Sequence, residues 1–169
     1  MQHKEQKILT FKLDDIHFAL YLANVIRVIR AVSVTRVPKA APAIHGLMDD
    51  HGEHIPVVSI RKRFGRTEKE IEANDRFIIT VWKKRKLAIV ADEVEYLLDT
   101  SGEKIHSIDV STTQLIKGSH EKLGLDVINT FGTEKGIIII YDLEKLLGAD
   151  TIVAVEELFS NLKKESHNG

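Results

Sequence analysis

Ile44-His45-Gly46-Leu47-Met48-Asp49-Asp50-His51-Gly52-Glu53-His54-Ile55-Pro56-Val57-Val58-Ser59-Ile60-Arg61-Lys62-Arg63-Phe64-Gly65 is the stretch that decides the fold. Two runs of strand length, Ile44 to Met48 and His54 to Val58, flank Asp49-Asp50-His51-Gly52-Glu53. Asp bonds its own backbone in turns and Gly reaches positive φ freely, so the segment reads as a β-hairpin. Ser59 offers an N-cap for a short basic helical turn, Ile60 to Phe64, and Gly65 stops it.

Short strands dominate on either side. Ile8 to Leu13 and His17 to Leu22 flank the turn pair Asp14-Asp15. Val25, Val28, Ile29 and Val32 recur at helical spacing but are β-branched, so a helical turn passing into a strand is expected. Pro38 and Pro42 bracket a connection, since neither can donate to a ladder. Arg66 to Asn74 is charged, lacks an apolar period and reads as a linker. Phe77 to Trp82 and Lys86 to Ala91 pair across Lys83-Lys84-Arg85, and Val94 to Leu98 follows. Gly102 to Leu123 reads as a long loop, and Ile128 to Phe131 pairs with Gly136 to Tyr141. The run Ile137 to Ile140 is apolar on both strand faces, which places it at a contact between sheets. Asp142 to Leu147 is a helical turn closed by Gly148. Asp150 is positioned to cap a final helix, 150–165, whose Ile152, Val155, Leu158, Phe159 and Leu162 share a core-facing stripe.

The two halves resemble each other. His17 to Val25 lies over Lys86 to Val94, matching Ala19 with Ala88 and Val25 with Val94. Ile60 to Gly65 lies over Leu143 to Gly148, displaced further along the chain, as an insertion after Leu98 explains. Each half then holds about five strands and a short helix, the inventory of a small closed barrel without exposed edges. Two such barrels side by side leave a furrow suited to docking. The expected division is one subdomain over about 14–66 and another over about 75–148, with strand 8–13 assignable to either.

Composition narrows the function. With 43% hydrophobic and 29% charged residues the 169-residue chain is globular. Its 24 basic and 25 acidic residues lack the basic excess of a nucleic-acid binder. There are no cysteines, hence no disulfide, thiolate metal site or cysteine nucleophile. The polar start Met1 to Lys7 and the short apolar runs, below the roughly 18 residues of a spanning helix, point to a cytoplasmic protein. No Gly-rich phosphate loop, G-x-S-x-G or H-E-x-x-H motif appears, and no cofactor is implied.

The stretch 44–65 resembles the signature hairpin of CheW-like chemotaxis coupling proteins, with Gly46, Gly52, Pro56, Arg61, Phe64 and Gly65 agreeing in identity and spacing. Phe18-Ala19-Leu20, Val25 and Val37-Pro38 upstream, and Leu87 to Val94 and Tyr141 to Leu147 downstream, resemble further elements of that family in the same order. The resemblance runs from about residue 8 to 148. It implies a mainly β fold of two five-stranded SH3-like barrels, each with a short helix, followed by a C-terminal helix. It also implies a free-standing, non-enzymatic adaptor between the cytoplasmic tip of methyl-accepting chemoreceptors and the regulatory domain of a CheA-type histidine kinase. Such an adaptor meets the membrane only indirectly, through receptors, and binds no nucleic acid.

The departures are local. The family's Asn-Leu-Arg-Gly reads Asp49-Asp50-His51-Gly52 here, and the Glu of its Val-x-Glu-Ile element stands as Arg27. If the two segments meet, the charges are exchanged rather than lost, which would favour a partner with altered charges. Candidate partner-binding residues are Val25, Arg27, Val28, Met48, Asp49, Asp50, His51, Val90, Asp92 and Val94. Two alternatives are a scaffold of a non-chemotactic array and, from another class, a metal-dependent hydrolase using Asp49, Asp50, His51 and His54. The basic runs Lys83 to Lys86 and Arg61 to Arg63 read as a solvated tip and a partly structural turn.

Overall fold

The computed structural model describes residues 7–99, 129–133 and 136–168. Strands β1 (Lys7–Leu13) and β2 (Ile16–Tyr21) form the opening hairpin across Asp14-Asp15. A 3₁₀ turn at Leu22–Asn24 carries the chain into β3 (Val25–Arg30), as the valine spacing and β-branching together predict. Strands β4 (Ile44–Asp50) and β5 (Glu53–Val58) close through His51 and Gly52 at φ 55° and 89°. Two central residues at positive φ make the tight hairpin turn that matches strand twist. The turn is therefore shorter than expected, and Asp49 and Asp50 end β4 instead of lying within it. A 3₁₀ turn, Lys62–Phe64, stops at Gly65 with φ 69°. Ser59 Oγ accepts the Arg61 N–H at 3.2 Å.

Strands β6 (Arg76–Trp82) and β7 (Arg85–Ala91) follow, then β8 (Glu93–Asp99), β9 (Asn129–Thr133), β10 (Gly136–Tyr141), helix α1 (Leu143–Leu147) and helix α2 (Ala149–His167). Asp142 caps α1 by accepting the Glu144 N–H at 2.9 Å. Asp150, expected as the cap of α2, lies in its first turn instead, because Gly148 holds the cap position. There its charge favours the positive end of the helix. The loop expected over 102–123 lies outside the described residues.

Two five-stranded sheets result, in the orders β8-β1-β2-β10-β9 and β3-β6-β7-β5-β4. The expected consecutive subdomains, 14–66 and 75–148, do not describe them. Each half of the chain gives its opening hairpin to the sheet that holds the other half's last three strands, and strand 8–13 sits between β8 and β2. The cause is the length of the connections. Asp92 alone separates β7 from β8, too little for a hairpin, so the chain runs across into the neighbouring sheet. The repeat itself is real. Ile140 pairs in parallel with Ala19 in one sheet, and Val57 with Ala88 in the other, at equivalent positions.

Strand alternation separates two faces per sheet. Met48, Ile55, Val57, Phe77, Ile79, Ala88 and Val90 fill the inside of the second sheet. Ile8, Ala19, Ile138 and Ile140 do so in the first, so the described isoleucines of β10 serve their own barrel rather than the contact between sheets. Between the sheets lies a larger core, where Phe11, Phe18, Ile78, Trp82, Leu87 and Phe64 meet. Val155 and Leu158 of α2 close it, with Ile152, Phe159 and Leu162 packed at its margin, so the helical stripe is core.

The second sheet curls because the segment leaving β3 bridges to β4 at Thr35 and Leu47, with both backbone bonds 2.8 Å. Gly46 makes this approach feasible: it sits at φ 147°, and a Cβ there would lie 2.2 Å from the Thr35 carbonyl oxygen. Gly46→Ala is expected to lower unfolding free energy by about 2 kcal/mol, measurable by urea titration. A change below about 0.5 kcal/mol would mean that the bridge is dispensable.

Candidate functional site

The rim of the second barrel is built around Asp50. Alternation along β4 puts Asp50 on the face of Met48, at the mouth of the barrel, with its side chain only 5% exposed. Arg27 reaches it from β3, where a bulge between Val25 and Arg27 brings Arg27 into register with Ile79. Lys86 Nζ, from the start of β7, approaches Asp50 at 3.2 Å and Glu53 at 2.6 Å. His51 Nδ1 lies 3.1 Å from Asp50, although the His51 ring is almost wholly in solvent. Burial opposes ionisation of Asp50, but hydrogen bonds from Lys86, Arg27 and His51 outweigh it and hold the carboxyl below the usual carboxylate range. Residues 27 and 50 thus meet as an ion pair, so the two segments that depart from the family pattern are in contact.

A second cluster ties the two sheets together. Arg61, 5% exposed, donates to both oxygens of Asp92 at 2.7 Å and to Asp14 at 3.0–3.2 Å. Asp92 also accepts the Asp14 N–H at 2.7 Å and faces Lys69 at 3.3 Å, while Lys69 reaches the buried Asp75 at 3.2 Å. The turn of β1–β2, the crossover from β7 to β8 and the charged linker therefore share one network. Burial works against the Asp92 carboxylate, yet the Asp14 N–H and Arg61 hold it below its ordinary range. Nearby, Arg63 donates to the Lys145 carbonyl at 2.6 and 3.0 Å, closing the end of α1.

The candidate residues separate accordingly. Met48 and Val90 are corrected to core, at 2% and 6% exposure inside the second barrel. Asp92 is committed to Arg61. Val25, Val28 and Val94 are partly buried and pack at the margin of the core between the sheets. Arg27, Asp49 and His51 remain accessible. Arg61, Lys69 and Lys86 were missed as members of these networks, because nothing local marks a charge whose partners lie tens of residues away.

The metal-site alternative fails on geometry. Asp49 pairs across the hairpin with His54 on the outer face and accepts the Gly52 N–H at 2.7 Å, whereas Asp50 turns inward onto Arg27 and Lys86. Among the described residues no three His, Asp or Glu side chains are grouped to hold a metal ion. The basic hairpin tip is not merely solvated either. Lys83 pairs with Glu156 of α2 at 2.9 Å, and Arg85 stacks 4.5 Å from the Phe159 ring centroid. Two clefts flank α2, one of about 520 Å³ beside Ala41 to Ala43 and one of about 580 Å³ beside Thr35 to Pro38. Neither is lined by a candidate contact residue.

Two five-stranded sheets packed flank to flank, with charged clusters at a rim and at their junction, are the architecture of the chain. Comparison with known proteins places it further. The model of the CheW-like domain matches residues 7–151, so the chain belongs to the CheW-like family. It is 26% identical over 128 residues to the chemotaxis protein CheW of Bacillus subtilis, covering 71% of this chain and 82% of that one. It is 25% identical over 149 residues to CheW of Thermotoga maritima, covering 88% and 92%. The crystal structure of the scaffolding protein TtCheW from Thermoanaerobacter tengcongensis superposes with a TM-score of 0.69 at 25% identity, covering 88% of this chain and 96% of that one. The fold is that of two SH3-like subdomains, and the chain is a chemotaxis coupling adaptor.

Proposed function

We propose that the chain joins the cytoplasmic tip of chemoreceptors to the regulatory domain of a CheA-type histidine kinase, and that it does so without chemistry of its own. The supporting observation is the pair of sheets packed flank to flank over nearly the whole described chain, in the arrangement of a solved scaffolding protein. In this reading the receptor's helical hairpin lies along the furrow between the barrels, and the kinase domain meets a barrel end. Arg27, held by Asp50 but 40% exposed, is the orienting charge, with Asp49 and His51 beside it. Val25, Val28 and Val94 supply apolar contact at the margin of the core. No described helix is long and apolar enough to cross a membrane, so receptors provide the link to it.

Capture from host lysate with the full chain as bait tests this. A histidine kinase and chemoreceptors should be recovered together. Recovery of neither would overturn the reading.

A further inference from the structure

Resting on that reading, we propose that Arg30 and Arg76 form a clamp for a carboxylate carried by the receptor hairpin. The two arginines are direct partners across β3 and β6, and no bulge intervenes between them and the Val28–Ile78 pair. Arg30, Arg76, Val28 and Ile78 therefore share one sheet face. Val28 and Ile78 on that face pack into the core between the sheets, so the arginines continue the same face beyond that core.

Like charges directly opposite each other oppose sheet pairing. No carboxylate of the described residues pairs with either arginine: Arg76 donates only to the backbone carbonyls of Asn74 and Asp75, at 2.6 and 3.2 Å. Keeping an edge strand from unwanted pairing accounts for Arg30, because β3 lies at the edge of its sheet. It does not account for Arg76, because β6 is flanked on both sides by β3 and β7. Two guanidinium groups on one face suit a carboxylate, which accepts planar, charge-assisted bonds from each. Ile26, the residue bulged out of β3, and Val32 just beyond it are 43% and 44% exposed and add apolar contact. Arginine beside exposed aliphatic groups is the composition of an interface anchor.

The test titrates the full chain with a receptor cytoplasmic hairpin fragment encoded by the same genome and, separately, with the kinase regulatory domain. Variants are Arg30→Gln, Arg76→Gln and the pair together, with Arg36→Gln as an exposed-charge control. Each single clamp variant should weaken hairpin binding about tenfold and flatten its salt dependence. Kinase-domain binding should stay unchanged. The melting temperature should hold or rise, since a like-charge contact is removed.

Hairpin affinity within about twofold of wild type overturns the clamp and leaves Arg30 as an edge guard. An equal loss with Arg36→Gln, or a loss confined to the kinase domain, overturns it as well. Wild-type chain that binds neither probe removes the coupling reading, and the clamp goes with it.

Discussion

Arg61→Met is expected to lower the free energy of unfolding by about 3 kcal/mol, because it removes the buried guanidinium that holds two carboxylates while leaving the side-chain volume nearly unchanged. Arg61 is 5% exposed and holds Asp92 through both oxygens and Asp14 through a forked contact. After the change Asp14, 44% exposed, rehydrates readily. Asp92, 23% exposed, keeps only the Asp14 N–H and Lys69. The cost therefore falls at the lower end of the range for breaking a buried pair. Arg61→Lys should not rescue it, since a compact ammonium cannot span two carboxylates as the planar fork does.

Acidification supplies a second readout. The folded pKa of Asp92 lies below its unfolded value of about 3.9, so its stabilisation is full above that pH and is lost as pH falls through the folded pKa. Wild type and Arg61→Met should differ by a constant amount between about pH 5 and 8 and converge below about pH 4. Urea titrations across that range would measure the difference. A gap under about 1 kcal/mol, or one that ignores pH, would show that the network is ornamental to stability.

Local pattern carried the elements well and their assembly poorly. The β4–β5 hairpin was legible because apolar runs and turn residues act within a few positions. Its turn was placed too widely because Asp50, a turn former by type, is drawn into the strand by Arg27 and Lys86 from distant strands. The repeat was legible too, since Ala19 and Ala88 occupy equivalent ladder positions. Which hairpin joins which sheet was not. Consecutive and exchanged halves satisfy each strand's alternation equally, and only the single-residue link at Asp92 decides between them.

The same limit explains the site. Met48 and Val90 looked like contacts because a family pattern ranks positions, whereas burial depends on which face alternation turns inward. Asp92 reads as an exposed acid until Arg61 is seen beside it. Arg27 and Asp50 were the exception: their departures from the family pattern sit at opposite ends of one contact, so two unusual residues pointed to a single pair.

That pair yields the strongest functional expectation. Arg27→Glu sets a carboxylate against Asp50, which is turned into the barrel mouth and cannot withdraw to solvent without opening the rim. Lys86 still offsets one charge, but it is already shared with Glu53. The variant should melt at a clearly lower temperature and bind the chain's own receptor hairpin about tenfold or more weakly. The combined change Arg27→Glu, Asp49→Asn, Asp50→Leu and His51→Arg behaves differently. It removes both acids from the rim and places a guanidinium at the β4–β5 turn, beside Glu at 27, while Lys86 keeps Glu53. Its melting temperature should return close to wild type, yet its partner preference should not. Calorimetric titration against the native hairpin and against a receptor hairpin from Bacillus subtilis should show affinity moving from the first toward the second. If Arg27→Glu melts like wild type, the contact with Asp50 does not hold the rim. If the combined variant folds and keeps the original preference, the polarity of this pair does not choose the partner, and selection rests on other contacts of this face, the Arg30–Arg76 pair or the apolar margin of Val25, Val28 and Val94.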